Sequence, residues 1–334
     1  AVTYNNGVSI GLGTGALAND DGTTNNNTAL GYQALNADTS GSLNVAVGYE
    51  ALKTVTTGHS NVALGYQAMY DTGTGASESI AIGRLAQRKS TATGNISIGY
   101  QAHYDLTSGS SNIAIGNSAG ANQTTGNSNV CIGVNAFDAA TTASNSVAVG
   151  TRALGANTTA DANHAFGYEA LENNTTGDKN TGVGYLALNA STTATQNTAV
   201  GYEALNSVTT GGSLTAIGYR AATSTTTPNQ IVAIGSQALE DFTGTSTLGF
   251  NVAIGNRCAM NVTTPYHLTA IGNAAFVTAT TGGTFCTIVG SAAAEGVTTA
   301  TEVTAVGYNA LGSVTTGGFN TALGKQAGDN ITTG

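Results

Sequence analysis

Acid–base catalysis needs carboxylates held in pairs, and the eighteen Asp and Glu of this chain offer few. A glycosidase sets two carboxyl groups about 5–10 Å apart in one cleft. Glu50, Glu169 and Glu203 hold equivalent places in a repeated phrase, but never in neighbouring copies. Glu169 with Glu172, and Glu240 with Asp241, read more economically as solvated turn residues. The three cysteines (Cys131, Cys258, Cys286) and four histidines (His59, His103, His164, His267) are scattered, and no CxxC or HxxxH spacing joins them. That argues against a zinc site. The glycines lack the Asp frame of a calcium-binding nonapeptide roll, and as a GxGxxG phosphate loop they fail because no helix follows them. The sequence therefore points to no enzyme, no metal and no cofactor.

Two sets of residues remain as candidates for contact. The first is a tyrosine row: Tyr32, Tyr49, Tyr66, Tyr100, Tyr168, Tyr185, Tyr202, Tyr219 and Tyr308 share one place in the repeat. Such a row reads either as a structural ladder or as a surface that takes sugar rings through ring faces and hydroxyls. The second is the basic cluster Arg84, Arg88 and Lys89, in a copy that has lost its tyrosine. It reads either as a solvated turn or as a contact for an anionic glycan or a neighbouring fibre protein.

These residues must be positioned by the repeat itself. One phrase runs from end to end: NTALGYQAL at 27–35, NVAVGYEAL at 44–52, NTAVGYEAL at 197–205, VTAVGYNAL at 303–311. With its glycine numbered as position 5, that position is Gly13, Gly31, Gly48, Gly65, Gly83, Gly99, Gly116, Gly133, Gly150, Gly167, Gly184, Gly201, Gly218, Gly235, Gly255, Gly272, Gly290, Gly307 and Gly324. Thirteen of the eighteen intervals are 17 residues, a spacing that leaves no room for a linker, so residues 1–334 read as one array. Positions 2 and 4 are β-branched or leucine with few exceptions, and positions 3 and 8 are mostly alanine. Such short apolar runs make strands that cannot stand alone. A 17-residue period is too short for a helix pair. It predicts an all-β fold, a parallel β-solenoid of about 19 coils. Each coil would hold two short strands and two turns, stacked at about 4.8 Å into a rod roughly 90 Å long.

Each column has an expected reason. Gly at position 5 suits a positive φ or a close backbone approach that a Cβ would block. Asn at position 1 suits a side-chain amide ladder. Thr-Thr at positions 13 and 14 suits extended backbone before a turn, with the two side chains pointing oppositely. The cysteines fall in Ala or Asn slots and read as small hydrophobes. Residues 239–251, with Phe242 and Phe250, carry three extra residues and suggest a protruding loop. Apolar residues at 2, 3 and 4 shield both faces of the strand, and 8 with 9 repeats the pattern. A thin solenoid interior covers one face only, so the other is expected to meet copies of the same chain.

Composition narrows the setting. The chain has 334 residues, Gly 46, Trp 0, Pro 2, charged residues 8% and net charge −9. Low charge separates it from a disordered solvating tail, and its acidic balance repels nucleic acid. No apolar run approaches the ~18 residues that span a bilayer, so no membrane insertion is expected in this segment. With no initiator Met and no leader, the first residue is expected to be a processed end or a cut through something longer. The chain stops within a repeat at 332–334 with no evident cap, so more protein is expected beyond it.

The unit [N/S]-V-A-[I/V/L]-G-x-x-A, as in SVAVGTRAL at 146–154 and NIAIGNSAG at 112–120, resembles the head repeat of YadA-type trimeric autotransporter adhesins. It is also similar to repeats of bacteriophage tail fibres. The resemblance covers nearly the whole chain. It implies a left-handed β-roll assembled as a homotrimer. The adhesin repeats are commonly shorter, around fourteen to fifteen residues, and no neck, stalk or anchor is recognised here. The expected function is therefore the shaft or head of a trimeric phage tail fibre on the virion surface, meeting itself, other tail proteins or a cell-surface glycan. A bacterial surface adhesin binding host or matrix glycans is the alternative, and an ice-binding solenoid a second one.

Overall fold

The computed structural model describes residues 2–5, 8–22, 25–228, 230–243, 250–279 and 282–333. The chain is all-β and divides into two compact units, Ala1–Asn163 and His164–Gly334. The first holds β1 (Val2–Asn5), β2 (Ser9–Leu12), β3 (Thr28–Leu30), β4 (Val45–Val47), β5 (Val62–Leu64), β6 (Ile80–Ile82), β7 (Ile96–Ile98), β8 (Ile113–Ile115), β9 (Val130–Ile132) and β10 (Val147–Val149). The second holds β11 (His164–Phe166), β12 (Thr181–Val183), β13 (Thr198–Val200), β14 (Thr215–Ile217), β15 (Ile231–Ile234), β16 (Asn251–Ile254), β17 (Thr269–Ile271), β18 (Thr287–Val289), β19 (Thr304–Val306) and β20 (Thr321–Leu323). Within each unit these strands pair parallel and in column register, Ala46 beside Ala63 and Ala199 beside Ala216. Each unit is thus a parallel β-solenoid with about 17 residues per coil. The exception is β1, which lies antiparallel along the free side of β2.

The position-5 glycines are required on both expected counts. Their φ values run from +121° to +145°, a region closed to side chains. A Cβ on Gly48 would also sit 2.3 Å from the carbonyl oxygen of Gly65. Stacked glycines let each coil approach the next closely enough for its strand to pair.

The second segment corrects the expectation of two strands per coil. Positions 6 to 11 form a turn, because positions 7 and 9 are left-handed even where they are not glycine: Gln33 at φ 50° and Leu35 at 48°, Glu50 at 55° and Leu52 at 50°. Each such residue costs about 1 kcal/mol. The cost is offset by bonds to the neighbouring coils, since the Gln33 N–H donates to the Thr14 carbonyl at 2.9 Å and the Leu35 N–H to the Ala51 carbonyl at 2.9 Å. Handedness also redirects the side chains. Ala51 and Leu52 are consecutive yet both fully buried, where a strand would put them on opposite faces. Glycine would relieve the strain at position 9, but Leu17, Leu35, Leu52, Met69, Phe137 and Leu171 there are among the largest side chains of the interior. The core needs their volume.

The asparagine ladder forms, mostly with side chains bonded to main chain rather than amide to amide. Asn112 is typical: its Oδ1 accepts the Asn129 N–H at 2.9 Å and its Nδ2 donates to the Gly126 carbonyl at 2.9 Å. Asn61 to Asn44 adds one amide–amide bond. Because Asn112 is buried, Asn112→Ala strands the Asn129 N–H away from water, while the Gly126 carbonyl keeps the Gln123 Nε2 donor at 2.8 Å. A loss of about 2 kcal/mol is expected in urea titration, while an exposed control such as Thr125→Ala should move the midpoint little.

The Thr-Thr pairs also differ from expectation. Thr124 is half-buried and Thr125 exposed, between buried Gln123 and Gly126, so the pair bends outward rather than alternating. The first hydroxyl is engaged in the stack: Thr124 Oγ1 donates to Thr141 at 2.9 Å and Thr141 Oγ1 to Thr158 at 3.1 Å. Of the long copy at 239–251, Phe242 is buried and Phe250 is 56% exposed, while residues 244–249 lie outside the described residues. The protruding-loop expectation falls on those.

Candidate functional site

With position 3 turned inward, positions 2 and 4 face outward on every coil. In the first unit this sets Val45 and Val47, Ile80 and Ile82, Ile96 and Ile98 in a half-exposed aliphatic band. In the second unit position 2 is more often threonine, but position 4 stays aliphatic through Val183, Val200, Ile217, Ile234 and Ile254. A band of apolar side chains along a sheet face marks an interaction surface. It is the bare face that the sequence led us to expect, confined to the strand because positions 8 and 9 both turn inward.

The tyrosines rise beside this band, just past the glycines. Tyr32, Tyr49 and Tyr66 stack in the first unit at 5.1 and 5.2 Å between ring centroids. Tyr168, Tyr185, Tyr202 and Tyr219 stack in the second at 5.1–5.4 Å. Ring faces are therefore spent on each other, and the edges and hydroxyls meet solvent. Desolvation within the stack, then the carboxylate of Glu50, pushes the Tyr49 phenol above its ordinary value. No protein-family model, curated protein or solved structure matches the chain.

The basic residues do not gather into one patch. Arg84, at position 6, fills the missing tyrosine's slot, its guanidinium 5.9 Å from the Tyr66 ring and 5.5 Å from the Tyr100 ring. Arg88 lies in a different column, position 10, between Tyr70 at 5.3 Å and Tyr104 at 5.6 Å. Lys53 continues that column over Tyr70 and is paired with Glu50 at 2.6 Å. Lys89 pairs with Asp105. Each cation thus has a partner within the chain. Sequence reading missed this second column, although Tyr70, Arg88 and Tyr104 share the repeat register.

The carboxylates are also engaged. Partial burial raises Glu50, but hydrogen bonds from Lys53 and Gln67 outweigh it and hold the carboxyl below its usual range. Glu240 is buried rather than solvated, accepting from Arg220 at 2.9 Å and from Gln237 at 2.6 Å. Glu172, also buried, accepts from Asn189 at 3.2 Å. Both lie in turns as expected, but they are not solvated: ladder partners satisfy them. Among the described residues no three His, Cys, Asp or Glu gather as metal ligands, and no helix is long and apolar enough to cross a membrane.

The cysteines are free and buried in their columns, and burial pushes the Cys258 thiol up to about 12. His103 was not singled out by its spacing. It takes the position-9 core slot, where Nδ1 meets Ser97 Oγ at 2.9 Å and Nε2 finds no partner. Ser97 Oγ also donates to Gln87 Oε1 at 3.1 Å, so a polar cluster replaces the usual Ala and Leu there.

Proposed function

We propose that the chain is a structural segment of a fibrous attachment protein, a left-handed β-roll that works as a homotrimer, in the manner of a phage tail-fibre shaft or head exposed at the virion surface. The observation that carries this reading is the outward aliphatic band. Each coil leaves one or two half-exposed apolar residues on the outer sheet face, and coil after coil adds to the area that association removes from water. Cyclic association of identical chains is the simplest cover for such a face. The resemblance of the repeat to trimeric adhesin heads and tail fibres supplies the number three and the handedness.

Its physics is reach and stiffness. A continuous main-chain ladder with a sealed interior resists bending and proteolysis without any ligand. A bacterial surface adhesin shares this physics and differs in what lies at the ends of the full-length protein. The ice-binding reading is less favoured, because one threonine of each pair spends its hydroxyl within the stack. Thermal hysteresis of the purified chain separates that reading from the others.

The test is sedimentation equilibrium. Three copies are expected at micromolar concentration. The double variant Ile98→Lys, Ile115→Lys should sediment as one copy with an unchanged circular dichroism spectrum, because lysines placed there reach water in a lone chain but are trapped between chains. A wild-type chain that sediments as a stable monomer overturns the proposal.

A further inference from the structure

Position 17, the residue before the ladder asparagine, is left-handed and points to solvent. In the second unit it begins polar, as Lys179, Gln196, Ser213 and Gln230. It then becomes aromatic. Phe250 and His267 stack at 5.8 Å, and His267 and Phe285 at 5.5 Å with planes 8° apart. Tyr266 braces the last pair edge-on, 4.3 Å from His267 and 5.6 Å from Phe285. The next two residues of the column are Glu302 and Phe319.

The main chain keeps all three in one register. Phe285 donates to Tyr266, Glu302 to Thr284 and Phe319 to Thr301, at 2.8, 2.8 and 3.1 Å, and their φ values are 54°, 58° and 58°. One face of Phe285 is covered by His267, so its other face looks along the column toward the Glu302 coil. Phe319 stands two coils from Phe285, about 10 Å away. Both rings are open to solvent, Phe285 at 57% and Phe319 at 77% exposure, and Glu302 is exposed between them. No ion pair among the described residues includes Glu302.

A gap of two coils is too wide for a flat ring sandwiched at about 3.5 Å from each face. It does suit a cation, which is attracted by ring faces within about 6 Å of each centroid. The first unit contains two examples of this arrangement. Arg84 sits between Tyr66 and Tyr100, and Arg88 between Tyr70 and Tyr104, in each case one coil from either ring. At Phe285 and Phe319 the intervening residue is an anion instead of an arginine. Two exposed rings in one column thus flank a carboxylate, with no cation of the described residues paired to it.

We propose that Phe285, Glu302 and Phe319 form a binding slot for the guanidinium of an arginine side chain presented by a partner polypeptide. The rings hold the flat cation by their faces and Glu302 supplies the counter-charge. The net charge of −9 favours the approach of a basic segment. This proposal does not rest on the fibre reading, since it needs only the second unit's own column.

The test uses the full chain labelled with fluorophenylalanine and observed by fluorine NMR. N-acetyl-arginine amide is the probe. Saturable shifts are expected at Phe285 and Phe319, weakening with added salt, while buried Phe137 and Phe276 stay unchanged. Glu302→Gln and Phe319→Ala should each weaken binding roughly threefold or more, the scale of one exposed cation–π or ionic contact. Both positions are exposed, and unchanged Phe137 and Phe276 signals in the variants show that the fold is kept. The proposal is overturned if arginine amide produces no saturable shift up to its solubility. It is equally overturned if neutral N-acetyl-citrulline amide shifts both residues as well, or if only a methyl glycoside does.

Discussion

Gly48→Ala is expected to cost about 4 kcal/mol or more, enough to release the coils on either side of β4. Two causes add. An alanine must adopt φ near +139°, which only glycine tolerates without strain of about 1–3 kcal/mol. Its Cβ would also lie 2.3 Å from the Gly65 carbonyl oxygen and 2.7 Å from the carbonyl carbon, and backbone cannot step aside as a flexible side chain can. Relief requires separating two coils, which breaks the strand ladder and the Asn44 bonds with it. Gly75→Ala is the control: no atom lies within 4 Å of its Cβ and its φ is not positive. It should be neutral, or slightly stabilising through the unfolded state. Urea titration with amide exchange along β3 to β5 reads both. Equal stability of the two variants would refute the close-approach account of the glycine column.

Acidification should loosen the first unit through His103. Burial alone lowers this imidazole from 6.5 to about 3, because the interior offers the charged form no counter-ion. The native state thus binds the proton less well than the unfolded chain. The histidine's contribution is complete above about pH 6.5 and is lost as the pH falls from there toward 3. By pH 4 the loss reaches about 3 kcal/mol. His103→Leu restores the residue type usual at position 9 and should remove that acid loss, at modest cost at pH 7 from the broken Ser97 contact. Asp38 works in the opposite sense: burial first, then Asp20 and Asp21, raise it to about 7 against the hydrogen bonds from Gly41 and Asn27. The quantity to compare is therefore the difference between wild type and His103→Leu, measured from pH 7 to 4. A flat difference would refute the assignment.

Much of the candidate surface was legible before any coordinates. The tyrosine stacks follow from a shared place in a fixed period, since parallel coils in register put like beside like. The same logic, applied to Tyr70, Arg88 and Tyr104, would have shown that the arginine lies between rings. Grouping Arg84, Arg88 and Lys89 by nearness in sequence hid it. In a coil four residues turn a corner, so neighbours in sequence part while residues 17 apart meet. The aromatic column of Phe250, His267 and Phe285 was hidden for a second reason. It interrupts a polar column late in the chain, and a consensus averages it away.

The 17-residue period and its invariant glycine determined, without further help, that the chain is a parallel β-solenoid whose strands leave an apolar face bare on the outside. Periodicity fixes stacking because a strand ladder only closes when like positions align. Three-dimensional structure alone decided which segments are strands and which way each side chain turns. Positions 7, 9 and 17 adopt left-handed backbone although Gln, Leu and Phe do not favour it. Local preference gives way there because the coil must close around a core and bond every amide to the coil beside it. That single change of handedness sends Leu52 inward beside Ala51 and presents Phe285 and Phe319 to solvent.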